Sequence, residues 1–195
     1  MAARLSTMAT TLALAVGLVV CAGIGSARAD GSFVQLEFGR SDYSLTALLR
    51  RGPLGLTFGW SDWSTGNAAS VWGNFGVPLG NAVWLRSGPS LRRDDSGQTD
   101  MGLKFGLERF AATDSASLFL LAERTTINGE YLALAQVGHP ASRTSIGIVF
   151  QGDRGDFRER SVAFGYQLRT HPVTVRIGYR MRARALFAGI SFSTF

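Results

Sequence analysis

Arginine is the residue whose number and spacing in this chain most invite a chemical reading. Lys104 is the only lysine, so nearly every fixed positive charge is a guanidinium. A guanidinium stays ionised and forks onto carboxylate or phosphate, which suggests fixed anion-facing positions. Over 173–182 the apolar residues Val173, Val175, Ile177, Tyr179 and Met181 take alternate places. Arg176, Arg180 and Arg182, with Arg184 just beyond, therefore share the opposite face of an extended segment. The same phase argument puts Glu37, Arg50, Lys104, Glu108, Glu159 and Arg169 on that second face. Arg86 joins them if Val83 and Leu85 take the apolar side.

Other chemistry finds little to act on. The two histidines, His139 and His171, each precede a proline in a turn-like stretch, where solvated capping is the ordinary role. Neither a His-x-Ser nor a Gly-x-Ser-x-Gly arrangement occurs, so no catalytic residue is assigned. Two separated histidines and a single Cys21 do not make a structural zinc site. Asp94, Asp95 and Asp100, or Asp153 and Asp156, read as solvated loop charge, with Ca²⁺ binding the alternative. Gly152-Asp153-Arg154-Gly155 lacks the strand-to-helix setting of a phosphate loop, and no cofactor is expected. The arginines are spread through the chain rather than clustered with stacking aromatics, which argues against nucleic acid.

The elements that position these side chains follow from punctuation and period. Residues 1–29 read as a signal peptide: Arg4, a short apolar run from Thr11 to Val20, and Ala27-Arg28-Ala29 before a mature start at Asp30. Its removal takes away Cys21, Arg4 and Arg28, leaving eighteen bases against fourteen acids in one domain, 30–195. From there the texture is uniform alternation, as in Leu54, Leu56, Phe58 and Trp60 or Met101, Leu103, Phe105 and Leu107. A period of two means strand, and no stretch carries a helical period. Tight turns at Gly52-Pro53, Pro78 to Asn81, Thr113 to Ser115, His139-Pro140 and His171-Pro172 interleave with six more polar breaks. The result is about twelve strands, or ten if the weak break near Ala183-Arg184 fails. Five turns at one end and six loops at the other describe an all-β, up-and-down antiparallel barrel with both termini on one side. Gly88-Pro89 falls inside the fifth strand, where proline cannot donate to a ladder. Ser87 to Asp100 is therefore expected to leave the wall early as a loop, an alternative being a constriction loop that carries Arg92 and Arg93 into the mouth.

Three features favour a transmembrane barrel over a soluble periplasmic β protein. The polar partners along the strands are often glycine or serine, suited to a narrow lumen. Trp60, Tyr43, Tyr131 and Tyr166 lie near strand ends, as an interfacial girdle requires. The chain ends in Phe195 after Leu186, Ala188, Ile190 and Phe192. That ending resembles the C-terminal signal of Gram-negative outer-membrane barrels, with Ser191 and Ser193 where apolar residues in phase with the last Phe are usual. The resemblance implies export to the outer membrane, with lipid and lipopolysaccharide as partners. Barrel hydrolases of that membrane place a histidine beside Ser, Asp or Glu at the outer rim, and this chain has no such histidine.

The reading that follows is a passive outer-membrane channel, not an enzyme, whose lumen is lined by Arg50, Arg86, Lys104, Arg169, Arg176, Arg180, Arg182 and Arg184 with Glu37 and Glu108. It is similar in general character to the small barrels that pass anionic oligosaccharides, and either uptake of small anionic saccharides or export of exopolysaccharide suits it. The alternative is a non-conducting structural or interaction barrel, in which the arginines pair with Glu37, Glu108, Glu123 and Glu159 and fill the lumen. A lipid-modifying barrel enzyme comes third, and a soluble periplasmic binding module is the fallback.

Overall fold

A computed structural model describes residues 30–64, 66–169 and 171–195; the signal-peptide reading of 1–29 lies outside them. Twelve strands follow one another along the chain: β1 (Gly31–Gly39), β2 (Tyr43–Arg51), β3 (Leu54–Trp63), β4 (Gly66–Leu79), β5 (Val83–Asp94), β6 (Thr99–Ala112), β7 (Ser117–Thr125), β8 (Tyr131–His139), β9 (Thr144–Gly152), β10 (Arg158–Gln167), β11 (Val173–Arg180) and β12 (Ala185–Ser193). Each pairs antiparallel with its sequence neighbours, and β1 closes on β12 from Phe33↔Ser193 to Gly39↔Phe187. Closure removes every free edge, the condition for a sheet to stand in hydrocarbon. No connection between successive strands is longer than five residues. Asn128 and Gly129 both take positive φ (51° and 61°) in the β7–β8 connection, the left-handed pair that Asn-Gly adopts most easily.

Strand β5 corrects one expectation. Ser87 to Asp94 does not leave the wall: the strand runs through Pro89 to Asp94 and turns back into β6 at Thr99. No constriction loop forms from this segment. The β4–β5 ladder lapses between Trp72↔Ser90 and Phe75↔Ser87, while β5–β6 continues through Gly88↔Lys104 and Pro89↔Leu103. The donor that proline lacks is thus missing on one side only, and the other side holds the strand in register. The lapse is also a pinch. A Cβ on Gly88 would sit 2.0 Å from the Gly73 carbonyl oxygen and 2.9 Å from Asn74 Cα, both backbone atoms. Gly88→Ala must push the two strands apart and is expected to cost about 1–3 kcal/mol in urea unfolding of the refolded barrel; an unchanged midpoint would contradict the pinch.

Candidate functional site

Because strand side chains alternate, the register fixes which face each residue takes. On the inner face β9 to β11 present Ser145, Gly147, Ser161, Ala163, Gly165, Thr174 and Gly178. A cavity of about 230 Å³ opens at the terminus end of this sector, lined by Ser117, Gln136, Ser145, Gln167 and Thr174 among others. The opposite sector holds the charge. Arg50 on β2 donates through both Nη atoms to the two oxygens of Glu108 on β6, spanning the three strands between them. Arg86 Nε lies 3.4 Å from the same carboxylate, and its Nη1 donates to Asn74 Oδ1 at 3.4 Å. Arg86 and Glu108 are buried, so one carboxylate holds two guanidiniums in a water-poor corner. Beside them Lys104 Nζ sits 2.6 Å from Glu123 and 4.7 Å above the Trp72 ring.

A second group faces this one from β11 and β1. Arg176 donates to Gln35 Oε1 and lies 3.3 Å from Glu37; Arg180 lies 3.5 Å from Glu37, pairs with Asp42 and covers the Phe187 ring at 4.9 Å. At the loop end Arg92 pairs with Glu130, and Glu159 accepts the backbone N–H groups of Arg160, Arg182 and Ala183, capping the β11–β12 turn. Burial pushes the Glu130 carboxyl above the ordinary range, with Arg92 and then Lys104 opposing. A raised native pKa means the folded barrel binds this proton more tightly than the unfolded chain. Its contribution to stability is therefore complete below the ordinary glutamate range and is lost as pH rises toward the raised value. Glu130→Gln should flatten that decline when unfolding is followed from pH 4 upward; an unaltered pH slope would show that another group causes it.

Glu37, Arg50, Arg86, Lys104, Glu108, Arg176 and Arg180 thus face inward and meet in two groups. Arg182 and Arg184 do not: they sit in the turn after β11, where Arg182 Nη1 donates to the Asp156 carbonyl at 2.6 Å and Arg184 takes a φ of 50°. Arg169 lies exposed in the turn after β10. These three departures share a cause, since alternation stops at the strand end and phase cannot be carried into a turn. Arg92 keeps the inner face, while Arg93 is exposed on the outer one. His139 Nδ1 contacts Ser142 Oγ at 2.9 Å in an exposed turn, and His171 is exposed in another. Gln35, Asp42, Asn74 and Glu130 join the site although sequence reading did not select them. Asn74 carried a usable signal, the alternation of Trp72, Asn74 and Gly76; Asp42 and Glu130, in connections, carried none.

The outer face is apolar and bare. Leu54, Phe75, Leu103, Ile146, Ile177 and Leu186 are each more than half exposed on it. A belt of this extent belongs in hydrocarbon rather than water. Tyr43, Trp60, Tyr131 and Tyr179 edge it near the loop end and Tyr166 near the turn end, the places for interfacial aromatics. No protein-family model and no curated protein matches the chain. Among solved structures, the KdgM porin superposes with a TM-score of 0.56 at 15% identity, over 83% of this chain and 98% of that one. A barrel from work on in-meso crystallization of membrane proteins superposes at 0.54 with 14% identity, over 84% and 82%. The fold is that of an outer-membrane β-barrel. At these identities the likeness is one of architecture, and the reading of the lumen rests on its own residues. Ser191 and Ser193 face that lumen opposite Gln35 and Phe33, Phe192 takes the outer side, and Phe195 turns in beneath Arg50, 5.4 Å from its guanidinium.

Proposed function

We propose that the protein is a passive outer-membrane channel for small hydrophilic solutes, with a preference for anions. One observation carries the reading. Twelve strands close into one ring, and on the inner face of β9 and β10 stand Ser145, Gly147, Ser161, Ala163 and Gly165. Eight strands give an interior that side chains can fill, and twelve with glycine, alanine and serine along one sector leave a passage. The anion preference rests on a local imbalance. Away from the loop end Arg50, Arg86, Lys104 and Arg176 face Glu37, Glu108 and Glu123, four cations to three acids. At the loop end Arg92 and Arg180 stand with Asp42, Asp94, Asp100, Glu130 and Glu159, so the acids collect there. Fixed positive charge in a confined space lowers the barrier for anions. Acidic oligosaccharides or an exopolysaccharide are the solutes that suit such a lining, in keeping with the likeness to a barrel named a porin.

The second reading, a non-conducting structural barrel, draws on the Arg50–Glu108 bridge, which crosses the lumen and obstructs one sector. Reversal potential in a salt gradient across a planar bilayer separates the two. The channel reading expects an anion-selective potential that moves toward zero in Arg176→Gln and Arg86→Gln. A cation-selective potential, or one indifferent to both substitutions, would remove the anion preference.

A further inference from the structure

The wall's outer face carries a stronger ionic asymmetry than the lumen. Its outward positions on the strands hold Arg51, Arg93, Arg109, Arg124, Arg158 and Arg160 against one acid, Asp62. Three of these arginines share one sector near the loop end. A single register row runs Arg124↔Tyr131↔Gly152↔Arg158 across β7, β8, β9 and β10. Arg160 stands two residues along β10 on the same face, its guanidinium 5.9 Å from the Phe150 ring centre. At Gly152 the outer face is covered by the Phe157 carbonyl oxygen and the Tyr131 hydroxyl, 2.6 and 2.8 Å from where a Cβ would be. Neighbouring strands lie about 4.8 Å apart, so Arg124 and Arg158, three strand steps apart in this row, stand about 14 Å from each other with Tyr131 between them.

Arg124, Arg158 and Arg160 are exposed, and no carboxylate among the described residues pairs with any of them. The acids of the adjoining turn do not answer them. Neither Asp153 nor Asp156 forms an ion pair with them. A guanidinium on the bilayer side costs little at the interface and about 2–4 kcal/mol at mid-depth, so unpaired arginines here belong at headgroup level. The described termini lie at the other end of the wall, which the resemblance to outer-membrane barrels puts on the periplasmic side, so that level is the outer leaflet.

From this arrangement we infer that the β7–β10 face is a lipid-phosphate site, in which Arg124, Arg158 and Arg160 hold the phosphates of lipopolysaccharide beside the Tyr131 hydroxyl. Guanidinium forks suit phosphate, and Tyr131 adds a hydroxyl donor at the same height. The site is independent of whether the lumen conducts.

Native mass spectrometry of the refolded barrel in detergent, titrated with bisphosphorylated lipid A, tests it. Wild type should retain lipid A, and Arg124→Gln/Arg158→Gln/Arg160→Gln should lose about tenfold or more in affinity. A control triple at the other outward arginines, Arg51→Gln/Arg93→Gln/Arg109→Gln, should bind as wild type does, with all proteins keeping the heat-modifiable mobility of a folded barrel. Dephosphorylated lipid A should bind wild type no better than the site triple. Equal binding by the two triples, or retention of the dephosphorylated lipid, would overturn the proposal. Displacement of lipid A by millimolar inorganic phosphate would reduce the site to a general anion patch and overturn the lipid assignment.

Discussion

Glu108→Ala should lower the stability of the refolded barrel by about 3–5 kcal/mol, the cost of leaving buried charges without their partner. Two guanidiniums, Arg50 and Arg86, lose the carboxylate they share, and they then face each other with little water between. All three side chains are 15% exposed or less, so solvent screening offers small relief. Urea unfolding in detergent micelles measures the loss. Removing the cross-lumen partner as well, in Arg50→Leu/Glu108→Leu, should restore only part of it, because Arg50 no longer leaves a charge unpaired while buried Arg86 still lacks its carboxylate. A Glu108→Ala loss below about 1 kcal/mol would mean that the bridge is solvated and ornamental.

Two adjacent residues on β9 give the second large effect. Ile148 points outward from the wall and is 43% exposed, with Ala135 and Val162 beside it in register. Ile148→Arg therefore puts a charge into hydrocarbon, at an expected cost of about 2–4 kcal/mol in lipid vesicles. Gly147 points the other way, and a Cβ there meets nothing closer than 3.6 Å. Gly147→Arg should leave stability within about 1 kcal/mol of wild type, since its charge enters an aqueous lumen. Equal losses for the two would mean that the faces are misassigned or that the interior is closed to water.

Much of this architecture was legible in the chain before any coordinates. Strands came from alternation and their ends from Gly, Pro and Asn-Gly punctuation, local signals that a barrel does not override because each strand meets only its sequence neighbours. Pro89 misled for a definite reason: a proline breaks a strand when it interrupts both ladders, and here the β5–β6 ladder carries the strand past it. The inward face was readable wherever a residue lay within a strand, as Arg176 and Lys104 do. It was unreadable at Arg169, Arg182 and Arg184, which lie past strand ends. Glu37, Glu108 and Glu123 were readable as partners for the inward bases, but which base each acid meets across the lumen was beyond reach. Nothing in the spacing of Arg50 and Glu108 says that they meet, because that contact depends on the curvature of three intervening strands. The outward arginines were equally hidden, since counting bases against acids does not sort them by face.

Single-channel recording of refolded residues 30–195 in planar bilayers tests the open lumen most directly. The account predicts stable conductance steps from wild type and smaller steps from Gly147→Arg, whose side chain projects into the small-residue sector. Silence from a barrel that is folded and heat-modifiable, or steps that Gly147→Arg leaves unchanged, would contradict a solute path along that sector.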